Sequence, residues 1–87
     1  MVSKKMTVVN SQGFHMRPAM AFSTAMAKYP CHVVIKYNGI ETDGKSIMNI
    51  IASGIKCGSE IEIICDGERE NEALKEAADM IESGFGE

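Results

Sequence analysis

The sequence lacks any excess of positive charge: nine Lys and Arg stand against twelve Asp and Glu, giving a formal charge of -3 and a pI near 5.3. A sequence-independent grip on nucleic acid needs a basic face to neutralise phosphates, so that class is excluded and proteins or small molecules are the expected partners. Long apolar runs are missing too. None approaches the ~20 residues that span a bilayer, and the start MVSKKMTVVNSQG has neither an apolar h-region nor a small-residue cleavage site. The expectation is a cytoplasmic protein with no membrane insertion. Cys31, Cys57 and Cys65 are odd in number and lack CxxC spacing, which speaks against a disulfide framework or a zinc site. All three are read as reduced thiols. Cys31 and Cys65 lie inside apolar strand-like runs, not in the electropositive setting a reactive thiol needs, and are assigned to the core. The pattern shows no paired carboxylates and no nucleophile triad. A small-molecule enzyme is therefore not expected, and no metal or cofactor is called for.

What is present is a short chain of globular composition. With 45% hydrophobic and 24% charged residues over 87 positions, it has none of the apolar depletion that marks disorder. That length allows one compact core. No repeat, low-complexity tract or linker interrupts it, so residues 1–87 are read as one domain. Lys4 to Val9 reads as a strand, ended by the turn chemistry of Asn10, Ser11, Gln12 and Gly13. From Met16 or Arg17 to Lys28 the composition is helical, with Ala19, Phe22, Met26 and Tyr29 along one face. Pro18 fits the first turn, where its missing N–H costs nothing. After Pro30, Cys31, Val33, Ile35 and Tyr37 alternate with His32, Val34 and Lys36 as a strand, and Asn38-Gly39 is a type I′ hairpin signal leading into Ile40 to Asp43. Ser46 can cap a short apolar helix carrying Ile47, Met48, Ile50 and Ile51, with Asn49 where a full capping box has Glu or Gln. Ile61, Ile63 and Cys65 give another strand its inner face, and Glu70 to Ser83 is an amphipathic helix with Ala73, Leu74, Ala77, Ala78 and Ile81 on its apolar side. The order βαββαβα predicts an α+β fold: a four-stranded antiparallel sheet with three helices on one face and solvent on the other.

His15 stands out chemically. In Gly13-Phe14-His15-Met16-Arg17-Pro18 a histidine precedes a helix start and a fixed cation follows two residues later. A helix N-terminus with the backbone N–H groups of Met16 and Arg17 is an anion site suited to a phosphoryl group. The positive helix end and the Arg17 guanidinium both disfavour an imidazolium, leaving the nucleophilic neutral form. The guanidinium can also contact phosphoryl oxygens as charge builds on them. Taken alone, the same spacing fits a polar helix-capping histidine followed by a solvated arginine. His32, on a strand away from this string, is read as structural or solvent-facing.

Gly13-Phe14-His15-Met16-Arg17-Pro18-Ala19, Asp43-Gly44-Lys45-Ser46-Ile47-Met48 and the ending Gly84-Phe85-Gly86-Glu87 together resemble the HPr family, the histidine-containing phosphocarriers of the bacterial sugar phosphotransferase system. The resemblance covers essentially the whole chain and favours the Gram-positive type. It implies an open-faced β-sandwich in which His15 accepts phosphate through Nδ1 from phospho-enzyme I. It further implies delivery to sugar-specific IIA components, with Arg17 and the backbone at Met16 and Arg17 steadying the phosphoryl group. Ser46 resembles the regulatory serine modified by HPr kinase/phosphorylase, whose product engages a catabolite control protein. Met20, Ile47, Met48 and Ile51 correspond to the apolar patch on which partners dock. The expected state is a monomer without cofactor. Position 14 is usually Leu or Ile in the family, position 16 a small Ala and position 49 Gly, where this chain has Phe14, Met16 and Asn49. A regulatory-only module acting through phospho-Ser46 and a nitrogen-related phosphotransferase carrier are the alternatives. The presence of His15 weighs against the first and the Ser46 region against the second.

Overall fold

The computed structural model describes residues 1–86. In chain order it contains β1 (Val2–Thr7), α1 (Met16–Met26), β2 (His32–Tyr37), β3 (Ile40–Asp43), α2 (Ile47–Ala52), β4 (Glu60–Asp66) and α3 (Glu70–Glu82), then a 3-10 turn at Gly84–Gly86. The strands form one antiparallel sheet in the order β1-β4-β2-β3. This is the α+β open-faced sandwich expected from the alternation.

Period-two patterning explains the register. Met6 faces Ile61, and Ile63 lies between Lys4 and Ile35, while Cys65 lies between Val2 and Val33. These residues share the face that packs on Phe22, Met26, Ile50 and Ile81 from the three helices, all of which are fully buried. The opposite face is solvated and carries a row of alternating charge, Lys5-Glu62-Lys36-Glu41, across all four strands. Opposite charges side by side on neighbouring strands support that register. Asn38 and Gly39, at φ 52° and 79°, make the predicted tight turn between β2 and β3.

Two elements, β1 and α1, differ most from the sequence reading. β1 starts at Val2 and ends at Thr7, because Val8 leaves the ladder to exchange hydrogen bonds with the loop at Gly58 and Ser59 (2.8 and 2.9 Å). α1 ends at Met26, not Lys28, because its last turn tightens to three-residue bonds, Lys28 N–H to Ala25 and Tyr29 N–H to Met26. Lys45 Nζ then donates to the Tyr29 carbonyl at 2.6 Å, satisfying an acceptor just beyond the helix end.

Candidate functional site

The loop before α1 is seated by contacts distant in sequence. Gly13 takes φ +61° and lies against the backbone of Ile55 and Lys56 so closely that a Cβ would sit 2.6 Å from Lys56 Cα. Phe14 N–H donates to the Ile55 carbonyl at 3.0 Å, and Gly13 N–H to the Asn10 carbonyl at 3.1 Å. Asn10 is buried, and its side-chain amide donates to the Gly13 carbonyl. Phe14 is 3% exposed; its ring meets Phe22 edge-on at 5.6 Å and Phe85 at 5.3 Å. The bulk of phenylalanine at position 14 is therefore absorbed by an aromatic cluster. Phe85 joins it from the 3-10 turn, where it adopts φ 57°. Glu87 of the terminal motif lies outside the described residues.

This anchoring fixes the next residue. His15 is the N-cap of α1, extended at φ -78° and ψ -172°, and half-buried; its carbonyl accepts from Ala19 N–H at 3.0 Å. The imidazole does not cap the helix, so the plain capping role falls away. Met16 and Arg17 occupy the first two helical positions, where N–H groups have no partner within the helix, and buried Pro18 at the third has none to offer. The first turn holds no acidic residue. Positive potential at that end is left uncompensated by the helix itself. Arg17 is exposed, and the salt bridges among the described residues engage Lys4, Lys28, Arg69, Lys75 and the terminal amine instead. The structure thus brings His15, Arg17 and the two N–H groups to one helix end.

Ser46 caps α2: its hydroxyl accepts from Asn49 N–H at 3.3 Å, and its own N–H donates to the Asp43 carbonyl at 3.1 Å. Gly44 beside it is required by contact, since a Cβ there would lie 2.7 Å from Val33 Cγ1. Of the apolar residues singled out near the site, Met20 and Met48 are exposed while Ile47 and Ile51 are half-buried. Ile50 turns fully inward. Met16 is exposed as well, one turn before Met20 on α1.

The remaining candidates fall where the sequence suggested. Cys31 and Cys65 are buried, and Cys65 has its thiol pushed up to about 11, first by burial and then by neighbouring Cys31. Cys57 is exposed. His32 is exposed on the open face of the sheet, opposite Asp66. No group of three or more potential His, Cys, Asp or Glu metal ligands occurs among the described residues, and no helix is long and apolar enough to cross a membrane. Sequence reasoning missed the seat at Ile55 and Lys56 and the contribution of Phe85 to the Phe14 cluster. Gly84-Phe85-Gly86, a lone aromatic between glycines, was the available signal for the latter.

Known proteins resemble this chain over nearly its whole length. Residues 2–83 match the family model described as the PTS HPr component phosphorylation site. The phosphocarrier protein HPr of Treponema pallidum is 32% identical over 87 residues, covering 100% of this chain and 99% of that protein. Among solved structures, HPr-C-His from Thermoanaerobacter tengcongensis superposes with a TM-score of 0.96 at 32% identity, covering 100% of this chain and 98% of the other. The catabolite repression protein Crh of Bacillus subtilis, solved as a dimer with a swapped domain, reaches 0.78 at 30% identity, with 95% of each chain covered.

Proposed function

This chain belongs to the HPr family of phosphotransferase-system phosphocarriers, and from that membership and the helix end at His15 we propose that it accepts a phosphoryl group on His15 from phospho-enzyme I and passes it to sugar-specific IIA components. As a member of that family it is a carrier and not a turnover enzyme. The observation that carries the site assignment is the placement of His15 at the N-cap of an acid-free first turn, with Arg17 exposed beside it.

In the proposed step the Nδ1 lone pair of His15 attacks phosphorus in line with the partner's P–N bond, which breaks as the new one forms. The Met16 and Arg17 N–H groups and the Arg17 guanidinium hold the equatorial oxygens. The transfer onward reverses the roles. Met20, Ile47, Met48 and Ile51 form the docking face, and apolar contact there excludes water from the two imidazoles. Ser46 is proposed as the regulatory site of an HPr kinase/phosphorylase. Phosphate on it would add negative charge beside the docking face and weaken engagement of enzyme I, while favouring a catabolite control protein. The proposed setting is cytoplasmic, as one domain over residues 1–87 and a monomer.

Incubation with enzyme I and phosphoenolpyruvate should add one acid-labile phosphate, readable as a mass increment; a His15→Ala protein labelled to the same extent would sink the assignment. The likeness to Crh supports a second reading, a regulatory module acting through phospho-Ser46 alone. Under that reading the wild-type chain takes no phosphate from enzyme I, and an acid-stable phosphate from kinase and ATP is the sole product. Its sedimentation at micromolar concentration separates a monomer from a swapped dimer.

A further inference from the structure

Met16, Met20 and Met48 are 57%, 51% and 67% exposed, whereas Met6 and Met26 are buried. Met16 and Met20 are a helical turn apart on α1, and Met48 is on α2, which packs against α1. Among the described residues, every large apolar side chain that these two helices expose is therefore a thioether. Val9 and Ile40, the other exposed aliphatic residues besides Met1, lie outside both helices. A thioether makes a soft, adaptable contact surface, but it carries a chemistry that Leu or Ile lacks: conversion to a sulfoxide turns an apolar side chain into a polar one and disrupts methionine-rich contacts.

We propose that Met16, Met20 and Met48 form a peroxide-sensitive modification site, whose oxidation polarises the face around His15 and slows hand-over of the phosphoryl group. The inference rests on reading that face as the place where partners dock. In each event a lone pair on sulfur attacks one oxygen of hydrogen peroxide; the S–O bond forms, the O–O bond breaks, and the departing hydroxide takes the proton carried by the transferred oxygen, leaving a neutral sulfoxide and water. Sulfur loses two electrons and peroxide gains them. A methionine sulfoxide reductase with a thiol reductant reverses the change. The three side chains lie outside the buried core, so oxidation leaves the fold and His15 in place.

The test uses the full chain with Cys57→Ser, which removes the exposed thiol that would otherwise compete for peroxide. After mild hydrogen peroxide, peptide masses should show one added oxygen at Met16, Met20 and Met48 well before Met6 or Met26. The oxidised protein should take phosphate from enzyme I about ten-fold more slowly at sub-saturating concentration, with an unchanged melting temperature. Reductase treatment should restore the rate. A protein that also carries Met16→Leu, Met20→Leu and Met48→Leu should keep its own untreated rate after peroxide. Equal sensitivity of that variant, or an oxidised protein as fast as its untreated control, would overturn the proposal. Failure of the untreated protein to accept phosphate at all would overturn the carrier reading together with it, which separates the two.

Discussion

Replacing Gly13 by alanine tests how the site is held. Two glycines with similar positive φ make the comparison: Gly13 at φ +61° and Gly39 at φ +79°. Alanine in the left-handed region costs about 1–2 kcal/mol at either place. At Gly39 nothing lies within 4 Å of the added Cβ, so that is the whole expected cost. At Gly13 the Cβ overlaps the Ile55 carbonyl oxygen and lies 2.6 Å from Lys56 Cα, both backbone atoms that cannot swing aside. The loop must lift. Doing so stretches the 3.0 Å Phe14 N–H bond to Ile55, worth about 1 kcal/mol. It also loosens Phe14 against Phe22 and Phe85, worth about another 1 kcal/mol. Gly13→Ala should therefore cost about 3–4 kcal/mol in urea unfolding, roughly 2 kcal/mol more than Gly39→Ala. Because His15 follows Phe14 directly, phosphoryl uptake by the folded variant should fall on the order of ten-fold or more, since misplacement by about 1 Å is enough for such losses. Equal unfolding costs for the two variants would refute the claim that the 55–56 backbone seats the loop.

Ser46→Ala removes the acceptor for Asn49 N–H and should lower stability by about 1 kcal/mol, whereas Ser46→Asp, which can cap and suits the helix dipole, should stay within a few tenths; paired urea midpoints decide, and an alanine variant as stable as wild type would show that the cap contributes nothing. Stability should also fall at alkaline pH. The Cys65 thiol ionises near 9.0 unfolded but only at about 11 when folded; the unfolded chain therefore releases its proton first, and up to about 3 kcal/mol is lost as pH rises between those values. The Tyr29 phenol, held protonated by its hydrogen bond to Glu76, adds a loss of the same sign. Unfolding of wild type and Cys65→Ala across pH 8–11 should show a shallower alkaline slope in the variant, and parallel slopes would exclude the buried thiol as the cause.

Most of the fold was legible because one-sided burial imposes a period on each element. β4 and α3 matched their expected spans almost residue for residue, since Ile61, Ile63 and Cys65, and then Ala73, Ala77 and Ile81, could face only one way. The slips occurred where apolar residues continue past an element. Val8 is as buried as any strand residue, yet its backbone pairs with a loop, and side-chain pattern carries no record of which backbone partner is used. Tyr29 is likewise buried on the α1 face three residues beyond the helix end. A 3-10 turn keeps nearly the same facing as an α turn, so the change left no mark in the sequence.

The site divided along a similar line. The position of His15 at a helix start was readable locally, because Pro18 restricts where the first turn can lie and Met16 and Arg17 must precede it. What holds that helix end was not, because Ile55 and Lys56 are some forty residues away and act through their backbone, which any residue supplies. The apolar residues of α2 posed a third kind of problem. Ile47, Met48, Ile50 and Ile51 crowd a helix of six residues, too short for periodicity to choose its inner face. Packing against α1 and β3 chose for it: Ile50 is fully buried, Ile47 and Ile51 are half-covered, and Met48 is left exposed. Exposure of an unbranched, oxidisable side chain on α2 is thus a product of packing, which the local sequence does not record.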